Sequence, residues 1–355
     1  MKIRNMYNIV FSINNSYAPY LYVCLKSLLA HIQSKDKYQV YVLESEVSEA
    51  DKKQILSLQC DNLGVEFIDV RQFIDKNITK IFSVTEHFTP ETYYRFFLPR
   101  IFPKLDKVLY LDADTIIMRD IAPMFSIDIG SNYLGVTHDC EIVRMSNLDD
   151  TEYSDYFIKT LGVKIENYFQ AGVMLVNLEK MRQDNITEKL LSALIKIGTP
   201  KFVDQDILNM VCQNNVQFIS QNWNYTWHLQ LCDKSYQKNL PKVLNAQYKA
   251  AKDNPYIIHF TGNKIKPVNY PGLAEAKLFW MYAKDTPYYE YFKILLNESI
   301  EVNKKKLQVL KNKIKKYKLL NFLTLGLLSK KYNHKIKHKE QTINLILANI
   351  NFSEN

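Results

Sequence analysis

Residues 107–114 read KVLYLDAD. Val108 to Leu111 form an apolar run that is too short for a helix and does not alternate with polar residues. That is the pattern of a strand buried on both faces, as in a parallel sheet. Asp112 and Asp114 stand where this strand ends, and in open α/β sheets ligands bind at the carboxyl ends of the strands. If strand geometry continues through them, carboxylates two positions apart project to one side and can hold one hard cation. An isolated Asp-x-Asp triplet is more often a solvated turn. Here the strand before it decides for a ligand site.

On the N-terminal side, Tyr7–Ile13 reads as a strand, followed by a polar turn (Asn14, Asn15, Ser16) and a periodic helical stretch Tyr20–Ile32. Tyr38–Leu43 repeats the strand, Ser48–Leu58 the helix, with a capping box at Ser48 and Asp51, and Val65–Val70 is the next strand. This alternation predicts a parallel sheet with helices on its faces. Thr89–Leu98 has a helical pattern that stops before Pro99. Past Asp114 the order is mixed, with strands at Tyr133–Thr137, Gly172–Asn177 and Tyr256–Phe260 and helices at Glu188–Ile197 and Gln205–Cys212. His259 closes the last strand and is followed by Gly262, Lys264 and Lys266. A lone histidine in a strand is more often a satisfied core residue, but a glycine beside it lets backbone approach a phosphate and the lysines neutralise one. An imidazole joining two carboxylates makes a site of borderline softness that suits Mn²⁺ better than Ca²⁺.

The chain has 355 residues, 47% hydrophobic and 23% charged, with 9 glycines and 11 prolines, enough for a large core and for about two domains. Its formal charge of +9 is local: Lys304–Lys339 holds 13 lysines and no acidic residue, which leaves 33 basic against 37 acidic residues elsewhere. In that tail Leu307, Leu310, Ile314, Tyr317 and Leu320 recur at helical spacing between lysines, the pattern of a basic amphipathic helix suited to an anionic membrane surface. With two aromatics, Tyr317 and Phe322, the segment does not read as a nucleic-acid binder. The expected division is residues 1–282 as the catalytic domain and 283–355 as a helical membrane-association region. Five cysteines without a CxxC pair argue against a disulfide framework and favour a reducing cytoplasm. The longest apolar stretch, Leu319–Leu328, is broken by Asn321, Thr324 and Gly326 and is too short to span a bilayer. Because Ile13–Tyr20 contains no glycine, a nicotinamide-dependent dehydrogenase is excluded.

Five blocks, in order, carry a family resemblance: YNIVFSINNSYAPYL from Tyr7, TYYRFFLPRIFPKLDKVLYLDADTIIMRDI from Thr92, YFQAGVMLVNL from Tyr168, VDQDILN from Val203 and HFTGNKIKP from His259. Together they resemble glycosyltransferase family 8, retaining enzymes that use nucleotide sugars. The resemblance implies an α/β, GT-A (Rossmann-like) nucleotide-sugar-binding domain with a mixed central sheet, here with a helical basic tail added. It implies that Asp112, Asp114 and His259 hold Mn²⁺, or Mg²⁺. Ser12, Asn14, Ser16 and Tyr17 would receive the nucleoside, with Tyr17 stacking on the base, and Asp112, Ala113, Gly262 and Lys266 would complete the nucleotide site. Arg95, Gln170, Asp204 and Gln205 would surround the transferred sugar as catalytic residues. The implied donor is UDP-galactose or UDP-glucose. The implied acceptor is a lipopolysaccharide- or lipooligosaccharide-type glycan, lipid-linked at the inner face of the cytoplasmic membrane.

Two positions depart from the family pattern. Asn14 stands where an aspartate commonly accepts the uracil N–H, and Gln170 where close relatives often carry asparagine. Other roles compete: Arg95 as an ion-pair partner, Asp204 as N-cap of a helix starting at Gln205, Tyr17 as core. Glu91, Glu179 and Asp206 read as caps and surface. A non-catalytic membrane adaptor on a degenerate scaffold is the alternative function.

Overall fold

The computed structural model describes residues 6–33, 37–75, 78, 82, 90–145, 154–227, 239–261, 267–269, 271–323, 332–333, 335–337, 339–340, 343–344 and 346–347. The chain falls into two compact units, Met1–Thr261 and Gly262–Asn355. The strands are β1 Met6–Ser12, β2 Lys37–Glu44, β3 Leu63–Asp69, β4 Lys107–Leu111, β5 Thr115–Ile117, β6 Leu134–His138, β7 Phe169–Asn177, β8 Val216–Phe218, β9 Tyr225–Thr226 and β10 Ile257–His259. The α-helices of eight or more residues are α1 Ala18–His31, α2 Glu49–Leu56, α3 Ile186–Ile197, α4 Val203–Cys212, α5 Lys242–Asp253, α6 Ala274–Ala283 and α7 Tyr289–Leu323.

Seven strands form one sheet in the order β3-β2-β1-β4-β7-β6-β8, and β5-β10-β9 form a second. In the large sheet β7 alone runs against its neighbours, antiparallel to both β4 and β6, while the other pairs are parallel. Its runs are continuously apolar because both faces are covered. Val10, Val108 and Tyr110 face a cluster that includes Phe96, Phe97, Leu190 and Ile207. Ile9, Phe11, Leu109 and Leu111, which alternate with them, are equally buried.

The expected parallel start is present, and Ser48 caps α2, its Oγ accepting from Asp51 N–H at 3.1 Å, while Ser48 N–H donates to Asn15 Oδ1 rather than to Asp51, so only half of the capping box forms. Three expectations change. The segment before Pro99 is a 3-10 helix, Pro90–Phe97, because Tyr93 to Phe97 are all buried and packing overrides the α pattern. The chain does not stop there: Pro99 occupies the first turn of a one-turn helix, Leu98–Ile101, where its missing N–H is no loss. β7 begins at Phe169 rather than Gly172, since Phe169 and Gln170 pair with His138 and Thr137 beyond a register shift in β6.

In the second unit α7 buries Phe292, Leu296, Ile300, Asn303, Leu310 and Ile314 along one helical face, and Phe292 meets Phe279 of α6 edge-on at 5.0 Å. The lysine-edged stripe is therefore not open. Leu310 and Ile314 are buried, and the Tyr317 ring stacks on Tyr332 at 6.0 Å with the Lys335 and Lys339 ammoniums 5.5 and 5.6 Å from it. The apolar side chains that α7 does expose near its end are Leu319, Phe322 and Leu323.

β6 ends on His138, whose ring lies flat on Phe218 of β8 at 3.7 Å. Burial pulls its pKa down to about 4. The neutral ring therefore stabilises the fold fully above the ordinary histidine pKa, and that contribution is lost as pH falls from about 6.5 toward 4. His138→Phe should remove on the order of 2 kcal/mol of the acid-induced loss of stability. Urea unfolding at neutral and acidic pH reads this directly, and equal acid losses in both proteins would refute it.

Candidate active site

After Leu111 the chain turns instead of continuing as a strand. Asp112 N–H donates to Gly172 O at 2.7 Å as the last rung toward β7, and Thr115 Oγ1 closes a turn by donating to Asp112 O at 2.9 Å. β5 then runs antiparallel to β10 with Thr115 opposite His259, and Phe260 N–H donates to Asp114 O at 3.0 Å. The two carboxylates thus converge through a turn rather than through strand alternation. Ligand atoms of Asp112, Asp114 and His259 lie within 4.8 Å of one another.

The orientation of His259 is fixed from behind. Its Nδ1 is 3.0 Å from Asn224 Oδ1, which turns Nε2 toward Asp112 and Asp114 at 3.6 and 3.4 Å. Burial favours the neutral ring, but hydrogen bonding to Asp114 and the charges of Asp114 and Asp112 prevail and raise its pKa. Asn224 Nδ2 in turn donates to Gln170 Oε1 at 2.7 Å, which also accepts from Gly172 N–H at 2.6 Å. Gly172 leaves the space: a Cβ there would lie 2.5 Å from Asp112 Oδ2 and would overlap the His259 ring. Two carboxylates, an imidazole held by a second-shell amide and a cradle that one methyl would fill are a donor set that fits a divalent cation.

Arg95 is the hub beside this cluster. Its guanidinium donates to Ala171 O at 2.6 Å and to Asp112 Oδ1 at 3.1 Å, its Nε lies 2.9 Å from Asp204 Oδ2, and it covers the Tyr110 ring at 4.3 Å. The ion-pair role is thus filled. Asp204 also accepts from Thr92 Oγ1 at 2.7 Å, and burial, working against Arg95, pushes its pKa up to about 6. It does not cap α4, which begins at Val203 with Phe202 as the N-cap. Val203 adopts φ 40, a left-handed conformation that is strained for a β-branched residue.

The rest of the VDQDILN block stitches α4 to β7. Gln205 Oε1 accepts from Ala171 N–H at 3.0 Å and its Nε2 donates to Asp139 Oδ2 at 3.0 Å. Asn209 pairs with both the N–H and the carbonyl of Phe169. Asp206 is fully buried rather than on the surface, and accepts from the Tyr156 and Tyr168 hydroxyls at 2.5 and 2.6 Å and from Phe202 N–H at 2.8 Å. Glu179 is exposed as expected.

In the loop after β1, Asn14 Oδ1 accepts from Ser16 Oγ at 2.8 Å and Tyr17 N–H at 3.2 Å, capping the 3-10 turn Asn15–Tyr17. Ser12 Oγ donates to Glu91 O at 2.6 Å. Tyr17 is half-buried, and burial together with the charges of Asp114 and Asp112 raises its pKa. Ala113 is buried between the two aspartates. Gly262 and Lys266 lie outside the described residues. The sequence reading missed Asn224 and Asp139. Asp139 follows the strand Leu134–His138 as Asp112 follows Leu111, so the same strand-end rule would have found it, whereas nothing in the stretch QNWNYTW marks Asn224.

The chain resembles known proteins over the segment that builds this site. It is 30% identical over 221 residues to a "Putative glycosyltransferase" of Haemophilus influenzae, a match covering 62% of this chain and 63% of that protein. With the "Lipopolysaccharide 1,2-glucosyltransferase" of Escherichia coli strain K12 it shares 30% identity over 185 residues, 50% of this chain and 49% of the other. These matches span less than two thirds of either relative. Among solved structures, the bifunctional glycosyltransferase WbbM superposes with a TM-score of 0.71 at 26% identity, over 83% of this chain and 52% of that one. The galactosyltransferase LgtC superposes with a TM-score of 0.64 at 24% identity, over 79% and 96%, which speaks for the fold. Residues 8–270 match the family described as glycosyl transferase family 8, and the chain belongs to that family.

Proposed function

We propose that the chain is a metal-dependent retaining hexosyltransferase that moves galactose or glucose from a UDP-sugar to a lipopolysaccharide- or lipooligosaccharide-type glycan. The observation that carries this reading is the convergence of Asp112, Asp114 and His259 on one cradle, with His259 oriented by Asn224. An adaptor on a degenerate scaffold has no use for such a ligand set. Manganese, or magnesium, would be held by these three side chains and would supply Lewis-acid stabilisation of the leaving diphosphate. Gly172 keeps the cradle open and Arg95 holds Asp112 in place. Gln205, fixed by Ala171 N–H and Asp139, presents a polar face at the start of α4 for the transferred sugar. Asp204, ion-paired with Arg95 and hydrogen-bonded by Thr92, is poorly disposed to act as a nucleophile. That favours same-face attack by the acceptor over a double displacement.

The tail supports a place at the inner face of the cytoplasmic membrane, where a lipid-linked oligosaccharide acceptor is confined. No helix among the described residues is long and apolar enough to cross a membrane, so contact would be peripheral. The exposed trio Leu319, Phe322 and Leu323 among Lys315, Lys316 and Lys318 is the surface suited to anionic lipid, in place of the buried stripe.

Three outcomes test the proposal. Transfer should be abolished by EDTA and restored by Mn²⁺, and Asn224→Ala should weaken Mn²⁺ binding about tenfold or more while the protein stays folded. Calorimetry with the metal reads this, and unchanged affinity would refute the orienting role. UDP should bind more tightly than GDP or ADP in the same instrument, and the reverse order would overturn the donor assignment. Finally, Phe322→Asp with Leu323→Asp should reduce cosedimentation with anionic vesicles at low salt and leave transfer to a soluble acceptor intact. Vesicle binding equal to wild type would remove the membrane role from this surface.

A further inference from the structure

Beside the loop that would receive the donor's nucleoside lies a carboxylate with one unpaired oxygen. Glu91 opens the 3-10 helix Pro90–Phe97, and Ser12, the last residue of β1, ties the Glu91 carbonyl to the sheet edge through its Oγ at 2.6 Å. The Glu91 side chain reaches the residue after β2: Ser45 Oγ donates to Oε1 at 3.5 Å and itself accepts from Tyr94 OH at 3.0 Å. The other carboxylate oxygen, Oε2, is buried and has no hydrogen-bond partner among the described residues. A buried carboxylate oxygen left unpaired is destabilising, so its retention calls for an explanation by a ligand.

Asn14, the expected reader of the base, is already engaged. Its amide oxygen has two lone pairs and receives two donors, Ser16 Oγ and Tyr17 N–H. Local capping of the turn thus uses the position that would otherwise face the base.

We propose that Glu91 reads the donor's nucleobase, its Oε2 accepting one ring N–H. This rests on the nucleotide-sugar reading above and names the residue that gives it base specificity. The chemistry selects among bases. With Oε1 engaged by Ser45 and Oε2 unpaired, the carboxylate can accept one further donor. N1-substituted uracil offers a single ring N–H, at N3. Guanine offers two adjacent donors that ask for both oxygens, and cytosine and adenine offer no ring N–H on that edge. The matching ligand is therefore a uridine diphosphate.

The test is calorimetric titration of the intact protein, with Mn²⁺ present, using UDP and N3-methyl-UDP. A charge-assisted hydrogen bond to N3–H should make wild type prefer UDP by about tenfold or more. Glu91→Ala should bind the two ligands within about twofold. Glu91→Gln, which keeps the side chain's shape and an acceptor without the charge, should fall between them and serves where the alanine variant does not fold. Full discrimination surviving in either variant, or equal weakening of both ligands with their ratio unchanged, would overturn the proposal in favour of a purely structural glutamate. A wild type that prefers GDP or ADP instead overturns the donor assignment itself, a result distinct from UDP preference that does not depend on Glu91.

Discussion

The antiparallel pairing of β5 with β10 is the contact on which the site depends. Thr115 stands directly after the acidic pair and faces His259 across the ladder, so the imidazole reaches the carboxylates only because these two three-residue strands are in register. β5 is an edge strand of its small sheet, and an edge needs a partner for its outward groups. α1 supplies one: Ser27 Oγ accepts from Ile117 N–H at 2.9 Å and donates to Cys24 O at 2.6 Å, and Cys24 Sγ lies 3.2 Å from Thr115 Oγ1. The helix after the first strand therefore holds the strand that follows the acidic pair and faces His259.

From that register a closed circuit follows. Asp112 N–H bonds to Gly172 O, Gly172 N–H to Gln170, Gln170 to Asn224, Asn224 to His259, and His259 faces Asp112 again. The circuit passes through the end of β4, β7, the segment before β9 and β10, so displacing one member strains the others. The charges have the same closure. Asp112, Asp114 and Asp204 carry three carboxylates against the single guanidinium of Arg95. The raised pKa values of Asp204, where burial leads, and of His259, where the carboxylates overcome burial, both respond to that setting. A divalent cation would be drawn to the same carboxylates.

The parallel half of the fold was legible because its strands and helices carry separate periodicities and a cap at Ser48. The cluster of Asp112, Asp114 and His259 was legible because two of its members follow an unmistakable buried strand. What escaped was set by side chains acting across the fold. Asn224 acts through amide bonds to residues far away in sequence, and no local pattern encodes such a partner. Asp206 looked like a surface residue because charge alone suggests solvent. Two tyrosine hydroxyls, one of them from a π-helical turn at Tyr156–Leu161, give it the partners that permit full burial. The lysine-edged stripe misled for the opposite reason: its periodicity correctly marked an apolar face, but Leu310 and Ile314 on that face are buried.

The substitution at Gln170 shows how such a network constrains what a position is for. Its Oε1 accepts from Gly172 N–H, two residues along the same strand, and from Asn224, which comes from the segment before β9. Serving both donors from one oxygen needs the reach of a glutamine. An asparagine, one methylene shorter, would draw that oxygen back toward its own strand and leave Asn224 free to rotate. Because Asn224 fixes the His259 ring, the additional methylene acts on metal-ligand orientation. The glutamine that departs from the family pattern is thus tied, through Asn224, to the orientation of His259 beside the acidic pair.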